Sequence, residues 1–264
     1  MKRVITLLTD FGIKDPYVAQ MKGVILSINA EAQIVDISHE VGRHNIYEAA
    51  FILLSTYSKF PRGSIHVVVV DPGVGTRRRA IVVETKRYLF VGPDNGVLSL
   101  AVEDDGVSKV YEIKNSLFLR SHISRTFHGR DIFAPVAAYL SLGISPKYVG
   151  PEISFRDMIK IARSKVGIIN DRTFRARVVY IDNFGNVITN IKASMIPREI
   201  HNVTIKFRDK ELAIPFKRAY DEVPRGEILS LINSFDYLEV AVNQGNAAKR
   251  LGLSIGDPII VKFS

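Results

Sequence analysis

The sequence predicts an α/β protein in two parts. An N-terminal, largely parallel α/β sandwich covers residues 1–162, a linker covers 163–172, and a smaller C-terminal β-barrel covers 173–264. Strand-like and helix-like segments alternate through the first half, the order that builds a parallel sheet covered by helices. After about Ile161 the segments become shorter and strand-like, as in a small barrel or sandwich. A polar, basic stretch from Arg163 to Arg172 separates the two regimes.

Val4 to Thr9 is a short apolar run rich in β-branched residues, as a buried strand is. Asp15–Pro16 then reads as N-cap and first helical residue, and Val18, Met21, Ile25 and Ile28 follow at helical spacing. Gln33 to Ile37 is a second strand. Ile46, Ala49, Ala50, Leu53, Leu54 and Tyr57 mark a second helix, stopped by Pro61 and Gly63. Ile65 to Val70, Ala80 to Glu84 and Tyr88 to Val91 read as further strands, and a helix is expected at about Ile132 to Leu142. The second part offers strands at Phe174–Ile181, Val203–Phe207, Glu211–Ile214, Ile228–Ile232, Tyr237–Val242 and Ile259–Lys262, with one helix at Gln244–Leu251.

Apolar residues make up 47% of the 264 and charged residues 24%, the balance of a folded globular chain. No apolar run approaches the roughly 18 residues of a membrane span. The apolar stretch after Met1–Lys2–Arg3 ends at Asp10, too soon for a signal h-region, so a cytoplasmic protein is expected. There is no cysteine, which excludes disulfides, thiolate nucleophiles and sulfur-built zinc sites. The net charge of +9 raises the question of nucleic acid, but the basic residues are scattered and no basic tail or aromatic-interleaved stripe occurs. No nucleic-acid or membrane partner is expected.

The informative pattern is positional. Strands run straight into Asp-containing turns at Asp10, Asp71, Asp94 and Asp182. In open α/β sheets ligands bind just beyond the carboxyl ends of strands. An Asp there is also an ordinary turn former, since its side chain bonds the backbone two residues on. Four such turns rich in Gly and Asn go beyond that. DPGVGT lacks the Gly-Lys-Ser/Thr ending of a P-loop, and no Gly-x-Gly-x-x-Gly fingerprint is present, so no nucleotide cofactor is expected. His128 lies in TFHGRD just ahead of a helix. The other histidines show no ligand spacing, and no metal is expected.

At DPGVGT, TFHGRDIFAP and YIDNFGNVITN the chain resembles the S-adenosylmethionine hydroxide adenosyltransferases. These are adenosine-forming hydrolases related to the fluorinase and chlorinase that attack the same carbon with halide. Leu8-Thr9-Asp10-Phe11-Gly12 and Ile232-Asn233-Ser234 with Asn243-Gln244-Gly245-Asn246 extend the likeness, in order, over nearly the whole chain. The resemblance implies S-adenosyl-L-methionine as substrate, and adenosine and L-methionine as products. It also implies a homotrimer, with each active site between the N-terminal domain of one subunit and the C-terminal domain of its neighbour.

The resemblance implies an Asp–Arg–His set that handles the nucleophilic water, matching Asp71, Arg78 and His128. Arg77 and Arg79 are the alternatives if the turn has another register. In the halogenases the position of Asp71 is Tyr, so this set favours water over halide. Asp10 matches a carboxylate that takes the ribose hydroxyls, and Asp15 and Asp182 fall near the methionine end. Asn186, Ser234 and Asn243 match polar positions around the nucleoside and methionine. Tyr220 matches an aromatic that stacks on adenine, and a packed interface tyrosine is its plain alternative. Two departures stand out: His44 replaces a common aromatic, and Phe235 stands where the fluorinase has Arg.

Bulk water has a pKa of about 15.7, so the nucleophile is the difficulty and the sulfonium is not. Asp71 and His128 are expected to orient and deprotonate the water while Arg78 stabilises charge, with the proton acceptor of the two left open. The rival readings are a halide-using enzyme on the same pocket, then a non-catalytic sensor of adenosine or S-adenosylmethionine, then a nucleic-acid binder.

Overall fold

The structure is a computed structural model describing residues 3–162 and 165–264. The chain divides into two compact units, Met1–Ala162 and Arg163–Ser264. The first two residues of the expected linker, Arg163 and Ser164, lie outside the described residues. Gly167–Asn170, further along it, is a strand of the second unit.

In the first unit seven strands form one sheet. They are β1 (Val4–Thr9), β2 (Gln33–Ser38), β3 (Ile65–Val69), β4 (Ala80–Thr85), β5 (Leu89–Pro93), β6 (Val107–Glu112) and β7 (Glu152–Ile153), in the order β2-β1-β3-β5-β4-β6-β7. The helices are α1 (Tyr17–Ile28), α2 (Ile46–Thr56), α3 (Ser99–Asp105) and α4 (Ala134–Ser141). One face of the sheet buries Met21, Val24 and Ile25 of α1 with Val136, Ala137 and Leu140 of α4. The other buries Ala49 and Leu53 of α2 with Ala101 and Val102 of α3. This is the expected α/β sandwich.

The sheet is mixed where a largely parallel one was expected. β2, β1, β3 and β5 run parallel, whereas β5–β4, β4–β6 and β6–β7 are antiparallel. The cause is the connection between β4 and β5, a turn far too short for a parallel crossover. The start of α1 also differs: Pro16 is the N-cap and no side chain caps the helix, so Asp15 stands one residue outside.

In the second unit every pairing between named strands is antiparallel. Its strands are β8 (Gly167–Asn170), β9 (Thr173–Ile181), β10 (Val187–Lys192), β11 (Asn202–Phe207), β12 (Lys210–Pro215), β13 (Ile228–Ile232), β14 (Tyr237–Val242) and β15 (Pro258–Phe263). They follow the order β12-β11-β15-β9-β10-β14-β13, with β8 on β9, and a bridge between Phe216 and Ser230 nearly closes the ends. Alternating residues such as Phe174, Ala176 and Val178 fill the barrel with Val203, Ile205, Val261 and Phe263. A short helix, α5 (Ala247–Leu251), follows β14. Among the described residues no helix is long and apolar enough to cross a membrane.

Candidate active site

β1 is followed by a crossover to β2 on one side, and β2 by a crossover to β3 on the other. The strand order therefore reverses between β1 and β3, and a crevice opens beyond their carboxyl ends. Asp10 follows β1 there and Asp71 follows β3. A pocket of about 310 Å³ occupies the crevice, with Asp10, Asp15, Asp71, Arg43, His44 and His128 among its lining. Phe11, Tyr17 and Phe127 form its aromatic wall, with ring centroids 5.2–5.7 Å apart.

Two successive turns, Val74 N–H to the Asp71 carbonyl and Thr76 N–H to the Gly73 carbonyl, fold the segment after β3 back on itself. Arg78 is thereby returned to Asp71. Its Nε donates to both carboxylate oxygens at 2.9 and 3.0 Å, and its Nη2 makes a further short contact to Oδ2. The same Nη2 lies 2.6 Å from Nδ1 of His128. The Arg78 and Asp71 side chains are only 9% and 4% exposed, so water screens this pairing little. Phe133 supports the guanidinium from below, its ring centroid 5.3 Å away.

Of the three consecutive arginines, only Arg78 meets Asp71. Arg77 is exposed, and Arg79 turns the other way to the buried Asp94 (Nε to Oδ2, 2.8 Å) and the Asp157 carbonyl. Asp94 also accepts from the Ile159 amide at 2.8 Å. The third Asp turn is thus a structural tie.

His128 arrives from a separate loop. It immediately precedes a π-helical turn, Gly129–Phe133, that leads into α4, so the expected helix at Ile132 begins earlier and wider. Such turns recur at functional sites because they re-aim a side chain out of the regular helical row. Buried Asp131 pins the segment: Arg130 donates to it at 2.7 and 2.9 Å and the Ser124 amide at 2.9 Å. The two loops meet at Gly75, whose φ is +77° and where a Cβ would stand 2.2 Å from the Arg125 carbonyl oxygen. Only glycine fits there.

A guanidinium has no acceptor, so Arg78 must donate to Nδ1 of His128. This assigns the neutral tautomer with its proton on Nε2. Burial, with the Arg78 charge next, lowers the His128 pKa below its ordinary value, against the pull of Asp71 and Asp131. The imidazole is therefore neutral at physiological pH.

Asp10 is nearly buried, and its Oδ2 accepts from the His44 amide at 2.8 Å. His44 has a φ of +63°, which the Asp10 bond helps to hold, and its side chain is 73% exposed. Asp15 is exposed at the mouth.

The second unit treats its candidate residues differently. Asp182 accepts from the amides of Phe184 and Asn186 and from the Asn186 side chain, each at 2.9 Å. These two residues are largely committed to their own turn. Asn243 donates at 2.7 Å to the Val223 carbonyl, and Ser234 sits exposed in the β13–β14 turn. Tyr220 points its hydroxyl at Glu239, 2.8 Å away. Among the described residues no cluster of three or more His, Asp or Glu has the arrangement of a metal site.

A family model described as the SAM hydroxide adenosyltransferase N-terminal domain matches residues 5–150, and its C-terminal counterpart matches residues 176–260. The chain belongs to the SAM hydroxide adenosyltransferase family. An (R)-S-adenosyl-L-methionine hydrolase from Methanocaldococcus jannaschii is 39% identical to it over 98% of this chain and 96% of that protein. The crystal structure of an uncharacterized conserved protein from Thermotoga maritima matches with a TM-score of 0.94 at 38% identity, over 98% of this chain and 100% of the other. A fluorinase from Actinoplanes sp. is more distant, 25% identical over 98% of this chain and 97% of that protein.

The structure joins Asp71, Arg78 and His128 directly and sets Asp10 and Asp15 on the same pocket. Asp182 and Asn186 are joined to each other in the second unit. Sequence reasoning missed Arg43 and the aromatic wall at the pocket, and Glu239 beneath Tyr220. A carboxylate inside the otherwise apolar run Tyr237–Val242 was the available signal for Glu239.

Proposed function

We propose that this member of the family hydrolyses S-adenosyl-L-methionine to adenosine and L-methionine, by in-line attack of water on C5′. The observation that carries the reading is the buried Asp71–Arg78–His128 contact at the switch-point pocket, in a chain closely similar to a named S-adenosyl-L-methionine hydrolase. The tautomer sorts the roles. Nε2–H of His128 donates to the water and fixes its orientation, while Asp71, acceptor-only when ionised, takes its proton. Arg78 holds both groups in place and stabilises the hydroxide character that develops.

The water oxygen bonds to C5′ as the C5′–S bond breaks and its electron pair passes to sulfur. Methionine leaves as a neutral thioether, so no general acid is required. Asp10 is assigned to the ribose hydroxyls, Asp15 and Asp182 to the methionine ammonium, Asn186, Ser234 and Asn243 to polar contacts, and Tyr220 to adenine. The assembly proposed is a cytoplasmic homotrimer with each site shared by two subunits, a point that light scattering of the purified protein checks.

The test is chromatography of products after incubation with S-adenosyl-L-methionine, with and without added chloride. Equal adenosine and methionine, insensitive to chloride and lost in Asp71→Ala, is the expected result. A chlorinated nucleoside would move the protein to the halogenases. Binding without product would make it a sensor.

A further inference from the structure

The outer face of β13 and β14 carries a small apolar cluster of Val223, Leu229, Leu231 and Ala241, apart from the barrel interior. Glu239 lies in the same layer. It pairs with Leu231 across the strands and is two residues from Ala241, so all three side chains share one face. Glu239 is 3% exposed. Burial pushes its carboxyl pKa up, with the nearby Asp182 charge acting in the same direction, and hydrogen bonds with the Tyr220 hydroxyl and the Asn233 side chain pull against both.

A buried carboxylate in an apolar layer is costly, and a leucine would serve the packing better. What Glu239 does hold is Tyr220, whose hydroxyl it accepts at 2.8 Å while 43% of that residue stays exposed. The rest of the segment is fastened independently. The Lys217 amide donates to the Ser230 carbonyl at 2.8 Å, and the Glu222 carboxylate accepts from the amides of Arg218 and Ala219 at 3.1 Å. Asn243 holds the Val223 carbonyl at 2.7 Å. The backbone of this segment is thus set without Glu239; besides its bond with the Asn233 side chain, the carboxylate gives a half-exposed aromatic ring a fixed direction.

We infer that Glu239 is a positioning residue that locks the Tyr220 ring as a preformed platform for the adenine of the substrate. Both the substrate's identity and the placing of adenine on Tyr220 rest on the hydrolase reading; the anchor of the ring on Glu239 is what the structure adds. An anchored ring loses less rotamer freedom when a base stacks on it, so the effect falls on binding and not on the chemical step.

The test is a double-mutant cycle on the full-length protein, read by S-adenosyl-L-methionine turnover and by calorimetric titration with adenosine. Tyr220→Phe and Glu239→Leu are each expected to raise KM and the adenosine Kd about five- to tenfold, with kcat within about twofold of its starting value. The double variant should be no worse than either single one. Glu239→Gln, which keeps an acceptor, should recover most of the loss. Glu239→Leu should melt no lower than the parent, because it removes a buried charge from an apolar layer.

An adenosine Kd unmoved by Tyr220→Phe would overturn the inference, as would strictly additive effects in the cycle. If Glu239→Leu fails to fold, Tyr220→Phe and Glu239→Gln decide alone. Absence of adenosine from the parent protein would sink the hydrolase reading, and the adenosine Kd series would still judge the platform.

Discussion

The two units solve the problem of polar groups at strand ends in opposite ways. In the first, Asp71 is answered by Arg78, and Arg78 by His128 fifty residues further along the chain. In the second, Asp182 is answered by Asn186, four residues on. A long-range answer needs two loops held in register, so it is sensitive to everything that positions them, and it leaves a coupled charge set facing a pocket. A short-range answer needs only its own turn. Chemistry is therefore expected to reside in the first unit, with shape and binding in the second.

The sharpest way to break this comparison is at Asp71. Asp71→Asn keeps the size of the side chain and removes the proposed proton acceptor, so kcat should fall by about 10²–10⁴ with little change in KM. Product quantification at saturating substrate measures it, and a change confined to KM would move the proton acceptor elsewhere.

Arg78→Ala comes next, with an expected loss in kcat of about 10²–10³ exceeding any rise in KM. Steady-state kinetics with a thermal melt as control checks it, since this variant also leaves Asp71 buried without its partner. Arg77→Ala is expected to be close to neutral, because that side chain is exposed.

A smaller and more diagnostic effect concerns pH. His128 must be neutral to accept from Arg78, and its folded pKa lies below the ordinary 6.5. Its share of kcat should be fully present above pH 6.5 and decline only further down, as the folded imidazole titrates. Stability follows the same sign. Below 6.5 the unfolded chain takes up the proton first, so this contribution to folding diminishes with falling pH. Removing Arg78 should shift the acid limb of the pH–rate profile upward, because the arginine charge helps to keep the ring neutral. A limb that stays in place would uncouple the two residues.

The smallest effect is predicted in the second unit. Asn186→Ala should cost about 1 kcal/mol of stability through loss of the turn and shift KM modestly, with kcat intact. Denaturant unfolding and kinetics together test it. A large fall in kcat would erase the contrast between the two units.

How far the sequence foretold this arrangement follows the same divide. The α/β class, the barrel and most strands were legible because their apolar periodicity is strong, as in Ile65–Val69 and Phe174–Ile181. β6, β8 and β10 were not, since Val107–Glu112, Gly167–Asn170 and Val187–Lys192 mix polar residues with apolar ones and sit among turn signals. The antiparallel half of the first sheet depends on one short connection that periodicity does not report. At the site, the strand-end pattern offered Asp71 only as one of four turn aspartates, and it was the family resemblance that set it with His128. The resemblance matched Arg78 but left Arg77 and Arg79 as alternatives, because the choice hangs on two backbone turns and on the competing pull of Asp94. Glu239 went unread although it is a lone carboxylate in an otherwise apolar strand, because nothing local to it names Tyr220 as its partner.

The contact between Gly75 and the Arg125 carbonyl bears on how such a site can be altered by design. The backbone there is too close for any side chain, so the two loops behave as a single cassette. Transplanting the Asp71 loop from a relative without the His128 loop, or lengthening either by one residue, would separate them. Engineers seeking a new nucleophile should exchange both segments together and leave the glycine untouched.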